Sequence, residues 1–179
     1  TVDDVIDVIR EEAEENLLAM GQAGLGIDSS TYERIKARLG WLTFSFVGGI
    51  SCFAIVYFFG SFDSTNKDLL LLWVIAAYVP LLLSIGATTG SQAATVTVGS
   101  LRAEKLDHKN IWPHLIKELR LSLVFMAFFG VLVFLLSHQF LSEFNVSFLF
   151  SAAMVLQIAI SMILGNLIPL LIARAGLDP

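Results

Sequence analysis

The sequence predicts an all-α membrane protein, a polytopic helical bundle with four transmembrane helices behind N-terminal cytoplasmic amphipathic helices, and three observations carry that prediction. First, 56 % of the 179 residues are hydrophobic and 15 % are charged, against roughly 45–50 % and 25 % in ordinary soluble domains. Second, the charge is segregated: Leu39–Phe62, Leu69–Leu101, Leu121–Ser142 and Phe144–Ala173 contain no Asp, Glu, Lys or Arg. Third, these stretches hold 24, 33, 22 and 30 residues. Each exceeds the roughly 20 residues an α-helix needs to cross about 30 Å of hydrocarbon. A water-soluble enzyme domain is excluded.

The chain divides into an arm and connecting helix over residues 1–40 and a transmembrane domain over residues 41–179. In the arm, Thr1 and Asp4 have capping-box spacing, and Val2, Val5, Ile6, Ile9, Ala13 and Leu17 recur at helical intervals. The net charge of −5 belongs here, because residues 1–15 carry seven acids and one base. Asp7 and Glu11, and Glu11 and Glu15, stand one turn apart, and like charges at that spacing repel by a few tenths of a kcal/mol. Two readings stay open: a solvated helix face, or a divalent-cation site in which Mg²⁺ keeps several waters and takes one or two carboxylates. Gly21, Gly24 and Gly26 end the pattern. Ser30 and Glu33 form a second capping box, opening a short basic amphipathic helix with Tyr32, Ile35 and Leu39 set against Arg34, Lys36 and Arg38.

The four spans are expected at about 41–61, 69–99, 115–138 and 146–173. Orientation follows from the bases, which the cytoplasmic side retains. Ten of the eleven fall before the first span, between spans two and three, or after the fourth; only Lys67 lies opposite. Both termini are therefore expected in the cytoplasm. Trp41, Trp73 and Trp112 fall near span ends, where an indole sits at headgroup level. The forty polar residues ahead of the first span argue against a cleavable signal peptide, and a start without Met in mid-pattern reads as a piece of a longer chain.

Polar residues inside lipid need a reason, and they concentrate in the second span. Ser84, Thr88, Ser91 and Thr95 are spaced i, i+4, i+7, i+11, which sets four hydroxyls on one face over about 16 Å of rise. Gln92 lies beside them. Gly86, Gly90 and Ala94 repeat every four residues and permit close helix approach. Pro80 has no N–H, so the Ala76 carbonyl is released for water or an ion. The hydroxyls fit the wall of a pore, or they bond carbonyls and glue helices together. Gly165, Asn166 and Pro169 repeat the theme more weakly in the fourth span. Gly48, Gly49, Ser51 and Gly130 read as packing residues, as does Cys52, the single cysteine.

No carboxylate is expected in any span, so the four helices are expected to lack the intramembrane acid that proton-coupled or cation-selective carriers commonly use. His108 and His114 fall in the loop between spans two and three and His138 at the outer end of span three, none with a ligand partner at metal-binding spacing. No nucleophile–base set, phosphate loop or HExxH motif is present, so no catalytic residue and no bound organic cofactor is expected. Nucleic acid is not an expected partner.

Three segments resemble the MgtE family of magnesium transporters: TVDDVIDVI with the following EEAEEN, YVPLLLSIGATTGSQAAT through SLRAEKLD, and NLIPLLIARAGLDP. The resemblance implies a homodimeric Mg²⁺ channel of the bacterial inner membrane, with cytoplasmic CBS domains, five membrane helices per subunit and a plug helix that closes the pore when cytosolic Mg²⁺ is high. It further implies that TVDDVIDVI is the tail of a CBS domain and that Ser30–Gly40 is the tail of the plug segment. Asp7, Glu12 and Glu15 match acids that sense cytosolic Mg²⁺. Ser84, Ala87, Ser91 and Thr95 fall at positions lining the ion path, and Thr88 stands where the family has Asn. The expected fifth helix with its pore aspartate lies beyond Pro179. Transported and regulatory Mg²⁺, the lipid bilayer and a second copy of the chain are the partners implied. Two competing functions are a Na⁺-coupled divalent-cation exchanger of the same superfamily and a non-conducting anchor for a cytoplasmic regulatory module.

Overall fold

In the computed structural model, residues 2–21, 23, 30–61, 67–102, 111–141 and 143–177 are described. They form five α-helices: α1 (Val2–Met20), α2 (Thr31–Ser61), α3 (Lys67–Arg102), α4 (Trp112–Leu141) and α5 (Phe144–Arg174). Four of them are long and apolar enough to cross a membrane. Their 30 to 36 residues correspond to about 45–54 Å at 1.5 Å per residue. Each is therefore longer than the hydrocarbon is thick. α2 and α4 begin eight and nine residues ahead of their charge-free stretches, because backbone hydrogen bonding continues where hydrophobicity stops.

α3 is the hub. It packs along α2 on one side and α5 on the other, α4 pairs with α5, and α1 rests on α3. The core draws on all four long helices: Leu42, Phe46 and Phe53 from α2, Tyr78, Leu81 and Ile85 from α3, Phe125 and Phe129 from α4, Met154 and Ile158 from α5. Tyr78 stacks on Phe150 at 4.0 Å between ring centroids and meets Phe53 edge-on at 4.8 Å. Offset and edge contacts of this kind add to area burial. Large apolar side chains such as Phe44, Phe59, Leu72, Leu135 and Leu149 point outward, as expected where lipid replaces water as the solvent.

The small residues behave as their spacing predicts. A Cβ on Gly86 would run into the Gln157 side chain, one on Gly90 would stand 3.4 Å from the Ser161 carbonyl oxygen, and one on Gly165 would overlap the Gly90 carbonyl oxygen. The paired numbers rise together, so α3 and α5 run parallel and cross where both are thin. Gly49 receives Leu81, and Gly130 faces Val155, with Ser151 donating to the Gly130 carbonyl at 2.8 Å. Gly48 has open space beside it and packs against nothing, contrary to expectation.

The start of α2 differs from its predicted amphipathic form. The capping box is present: the Glu33 carboxylate accepts from the Ser30 N–H at 3.0 Å and the Ser30 hydroxyl at 2.7 Å, while the Glu33 N–H donates back at 3.3 Å. Yet Arg34 and Arg38 are fully buried while Tyr32 is 74 % exposed. The expected polar face thus turns inward, because α4 offers a carboxylate there. Residues 31–40 run unbroken into the first span as one helix. Thr1 and the Asp4 side chain, which make up the first expected capping box, lie outside the described residues, as do Gly24, Gly26 and His108.

Candidate functional site

The structure divides the hydroxyl stripe of α3. Ser84 donates to the Ser45 carbonyl at 2.8 Å, and Thr88 donates to the Ser84 carbonyl at 2.9 Å. The single Thr88 proton is thereby used, so the 2.8 Å contact between the Ser45 and Thr88 hydroxyls has Ser45 as donor. These two members of the stripe join α3 to α2, the gluing alternative. Ala87 and Ser91 are exposed, and Thr95 is half-buried. The open face of α3 is thus the Ala87–Ser91 side, between the α2 and α5 contacts, with Thr95 at its end.

Thr95 has a neighbour that spacing did not indicate. A Cβ on Gly21 would overlap the Thr95 side chain, and Leu18, Ala23 and Val96 form a small apolar cluster. The end of the acid-bearing helix α1 is therefore seated on the end of the stripe, and glycine is required there by proximity. The remaining apolar positions of α1 are not covered in the same way, since Val5, Ile6, Val8 and Ile9 are exposed. Glu11, Glu12 and Glu15 are exposed as well, and the Asp7 side chain lies outside the described residues. Among the described residues no group of three His, Cys, Asp or Glu is gathered closely enough to hold a metal ion.

A buried polar layer beside this seat was not foreseen. Glu118 of α4 pairs with Arg34, and it accepts from Arg38 Nη1 at 3.0 Å and Nη2 at 3.3 Å. All three side chains are at most 3 % exposed. One helical turn earlier on α4, the His114 ring meets Asn166 Oδ1 and Thr97 Oγ1, each at 3.1 Å from Nε2, and Thr97 donates to Asn166 Oδ1 at 2.8 Å. Asn166 Nδ2 donates to the Met162 carbonyl at 2.7 Å, which aims its oxygen at this cluster. Because Oδ1 only accepts, His114 must carry its proton on Nε2, leaving Nδ1 as a bare, buried acceptor. The layer ties α2, α3, α4 and α5 together at the end of the bundle where α1 sits.

Two expectations are corrected here. His114 is not a loop residue; it lies in α4 and is 3 % exposed. A carboxylate does lie inside the third expected span, since Glu118 falls within 115–138 and is buried. The available signal was the i, i+4 pair Arg34/Arg38 matched to the i, i+4 pair His114/Glu118, bases and acid at the same helical period on two helices. A cavity of about 220 Å³ between α4 and α5 opens beside this layer, lined by Glu118, Ser122 and Asn166 among apolar side chains.

The sequence profile of a family described as divalent cation transporter, MgtE, matches residues 79–179, more than half of the chain. The chain belongs to the MgtE family. Three curated MgtE members, each named a magnesium transporter, align over the whole chain: those of Bacillus subtilis at 29 % identity, Thermus thermophilus at 28 % and Enterococcus faecalis at 26 %. The chain spans about two fifths of the length of these relatives, 38–39 % of each. No solved structure matches it significantly. The MgtE match covers most of α3 and all of α4 and α5, and so takes in the open face of α3, the α3/α5 crossing and the polar layer apart from Arg34 and Arg38.

Proposed function

We propose that this chain supplies the membrane part of a Mg²⁺-selective channel that works as a homodimer in the bacterial inner membrane, N-terminus in the cytoplasm. Cytosolic Mg²⁺ closes it by binding acids of α1. Family membership and the names of the relatives support Mg²⁺ as the cargo. Mg²⁺ dehydrates reluctantly, so it passes with much of its water against oxygen-bearing side chains instead of through a dry cage. The open Ala87–Ser91 face of α3, ending at Thr95, suits such a path. A divalent ion crossing 100 mV gains about 4.6 kcal/mol, twice the single-charge value, which is ample to drive passive entry.

The observation that carries the gating reading is the seat of α1 on Thr95 and Val96. An acidic helix resting on the end of the path is held down more firmly once Mg²⁺ relieves repulsion among Asp7, Glu12, Glu15 and their neighbours. This is a population shift biased by the ligand. The contact involves Leu18–Ala23, ahead of the Ser30–Gly40 segment that the resemblance suggested as the plug tail. In liposomes holding the full-length protein, Glu12→Gln with Glu15→Gln is expected to leave Mg²⁺ flux high at a Mg²⁺ concentration that shuts the unsubstituted protein. Unchanged closure would remove the arm from the mechanism.

A further inference from the structure

Residues 31–40 of α2 lie ahead of the first expected span and are held to the bundle in two ways. Ile35 and Leu39 pack on the apolar core. Arg34 and Arg38, four residues apart and so on one face, converge on the single carboxylate of Glu118 in α4. Burying two cations around one anion gives little net stability, because desolvation offsets the attraction; what such a cluster can supply is a fixed rotation and register. Arg34 Nε and Nη1 and Arg38 Nε find no acceptor among the described residues, so these groups gain partners if they reach water.

Gly40 separates this extension from the span. A Cβ there would meet nothing within 4 Å, whereas Gly49 of the same helix receives Leu81. No neighbour therefore requires the glycine, and inside a helix it is less favourable than alanine because it has more backbone freedom to lose. Gly48 is equally open, but it falls in hydrocarbon, where a bend would leave backbone groups without water. Gly40 adjoins Trp41, at the headgroup level expected of an indole. It is the place where α2 bends at least cost.

The extension also anchors α1. Ala23 belongs to the seat on Val96, and Ser30 caps α2. Six residues lie between them, a length that reaches at most about 25 Å. A short tether gives the small α1/α3 contact a high effective concentration while its anchor is nearby, and a low one once the anchor swings away. Seat and clamp also stand at one end of the bundle, since Thr97, next to Val96, meets His114 one turn before Glu118.

We infer that residues 31–39 form a hinged strap that controls the seat of α1. Gly40 is the hinge, and Glu118 is a positioning residue that holds Arg34 and Arg38 in the seated arrangement. Opening turns the strap outward at Gly40, and the two guanidinium groups exchange Glu118 for water and headgroup phosphates. This rests on the proposed closure by α1 and adds the part of α2 that moves with it.

The test is Mg²⁺ flux in liposomes holding the full-length protein, read as the cytosolic-side Mg²⁺ concentration that gives half-maximal closure. Gly40→Ala favours the straight helix and is expected to lower that midpoint about two- to fivefold, the preference of a helix for alanine over glycine. Gly48→Ala, with as much open space on the same helix, is expected to leave it in place. Glu118→Gln strips two buried cations of their counter-charge and is expected to raise the midpoint at least about fivefold while flux without cytosolic Mg²⁺ is retained. A Gly40→Ala midpoint equal to that of Gly48→Ala overturns the hinge, and an unmoved midpoint in Glu118→Gln overturns the clamp. Should Glu118→Gln not yield monodisperse protein, Gly40→Ala decides. Glu12→Gln with Glu15→Gln, measured alongside, separates the two readings. If that pair leaves closure unchanged, gating by α1 fails and the strap with it; if the pair shifts closure and Gly40→Ala does not, the strap alone is refuted.

Discussion

Glu118 stands between two guanidinium groups with 2 % of its surface exposed, and its partners Arg34 and Arg38 are fully buried. Two cations share one anion, and Arg34 Nε and Nη1 and Arg38 Nε have no hydrogen-bond partner among the described residues. Taking such groups out of water is expensive, so the cluster is weak grounds for stability but strong grounds for fragility: removing the carboxylate leaves both charges uncompensated. Glu118→Leu is therefore expected to destabilise the full-length protein by about 3–5 kcal/mol. Replacing all three residues with apolar ones, Arg34→Met, Arg38→Met and Glu118→Leu, is expected to be near neutral or stabilising. Thermal unfolding in detergent, followed by loss of monodispersity, separates the two outcomes. His114 belongs to the same layer, its ring held by Asn166 and Thr97.

Among the elements, α3 and α5 cross closely. Gly165 abuts the Gly90 carbonyl oxygen, and a Cβ at 165 would also stand 3.0 Å from the Ala93 Cβ. Neither neighbour is the far end of a flexible side chain, so Gly165→Ala must push two helix backbones apart, an overpacking cost of about 1–3 kcal/mol. Gly48, on the outer face of α2 with nothing within 4 Å, supplies the contrast. Gly48→Ala is expected to be neutral or to stabilise by about 0.5–1 kcal/mol through helix propensity alone. The same thermal measurement applied to both variants checks the pair. The α1/α3 contact is smaller, resting on Leu18, Gly21, Ala23, Thr95 and Val96. An element held by so few contacts is easily released, which suits a gate.

At the scale of the whole molecule, the helix pairs α2/α3, α3/α5 and α4/α5, closed by lighter α2/α4 contacts, form a bundle in which α3 keeps one face uncovered. If the assembly conducts, Ser91→Leu in liposomes holding the full-length protein is expected to reduce Mg²⁺ flux severalfold. A non-conducting anchor would not respond. Ser84→Ala should weaken only the link to Ser45, a neutral hydrogen bond worth about 1 kcal/mol, and leave flux close to that of the unsubstituted protein.

Legibility follows the same division. Hydrophobic length, charge segregation and the Gly86/Gly90 spacing located every long helix and the close crossing, because these depend on local composition and on a helical period the chain must obey. The Ser30–Glu33 cap was legible for the same reason. The partition of the Ser84–Thr95 stripe was not, since Ser84 and Thr88 turn to α2 only because Ser45 happens to meet them there. The inward turn of Arg34 and Arg38 likewise depends on Glu118, some eighty residues away in the chain. By itself, the sequence determined which segments must leave water, how long they are and which surfaces can approach closely. Tertiary structure decided which polar side chains are spent on one another and which stay open, because a hydrogen bond or ion pair between distant helices depends on their register and rotation, quantities that no local pattern encodes.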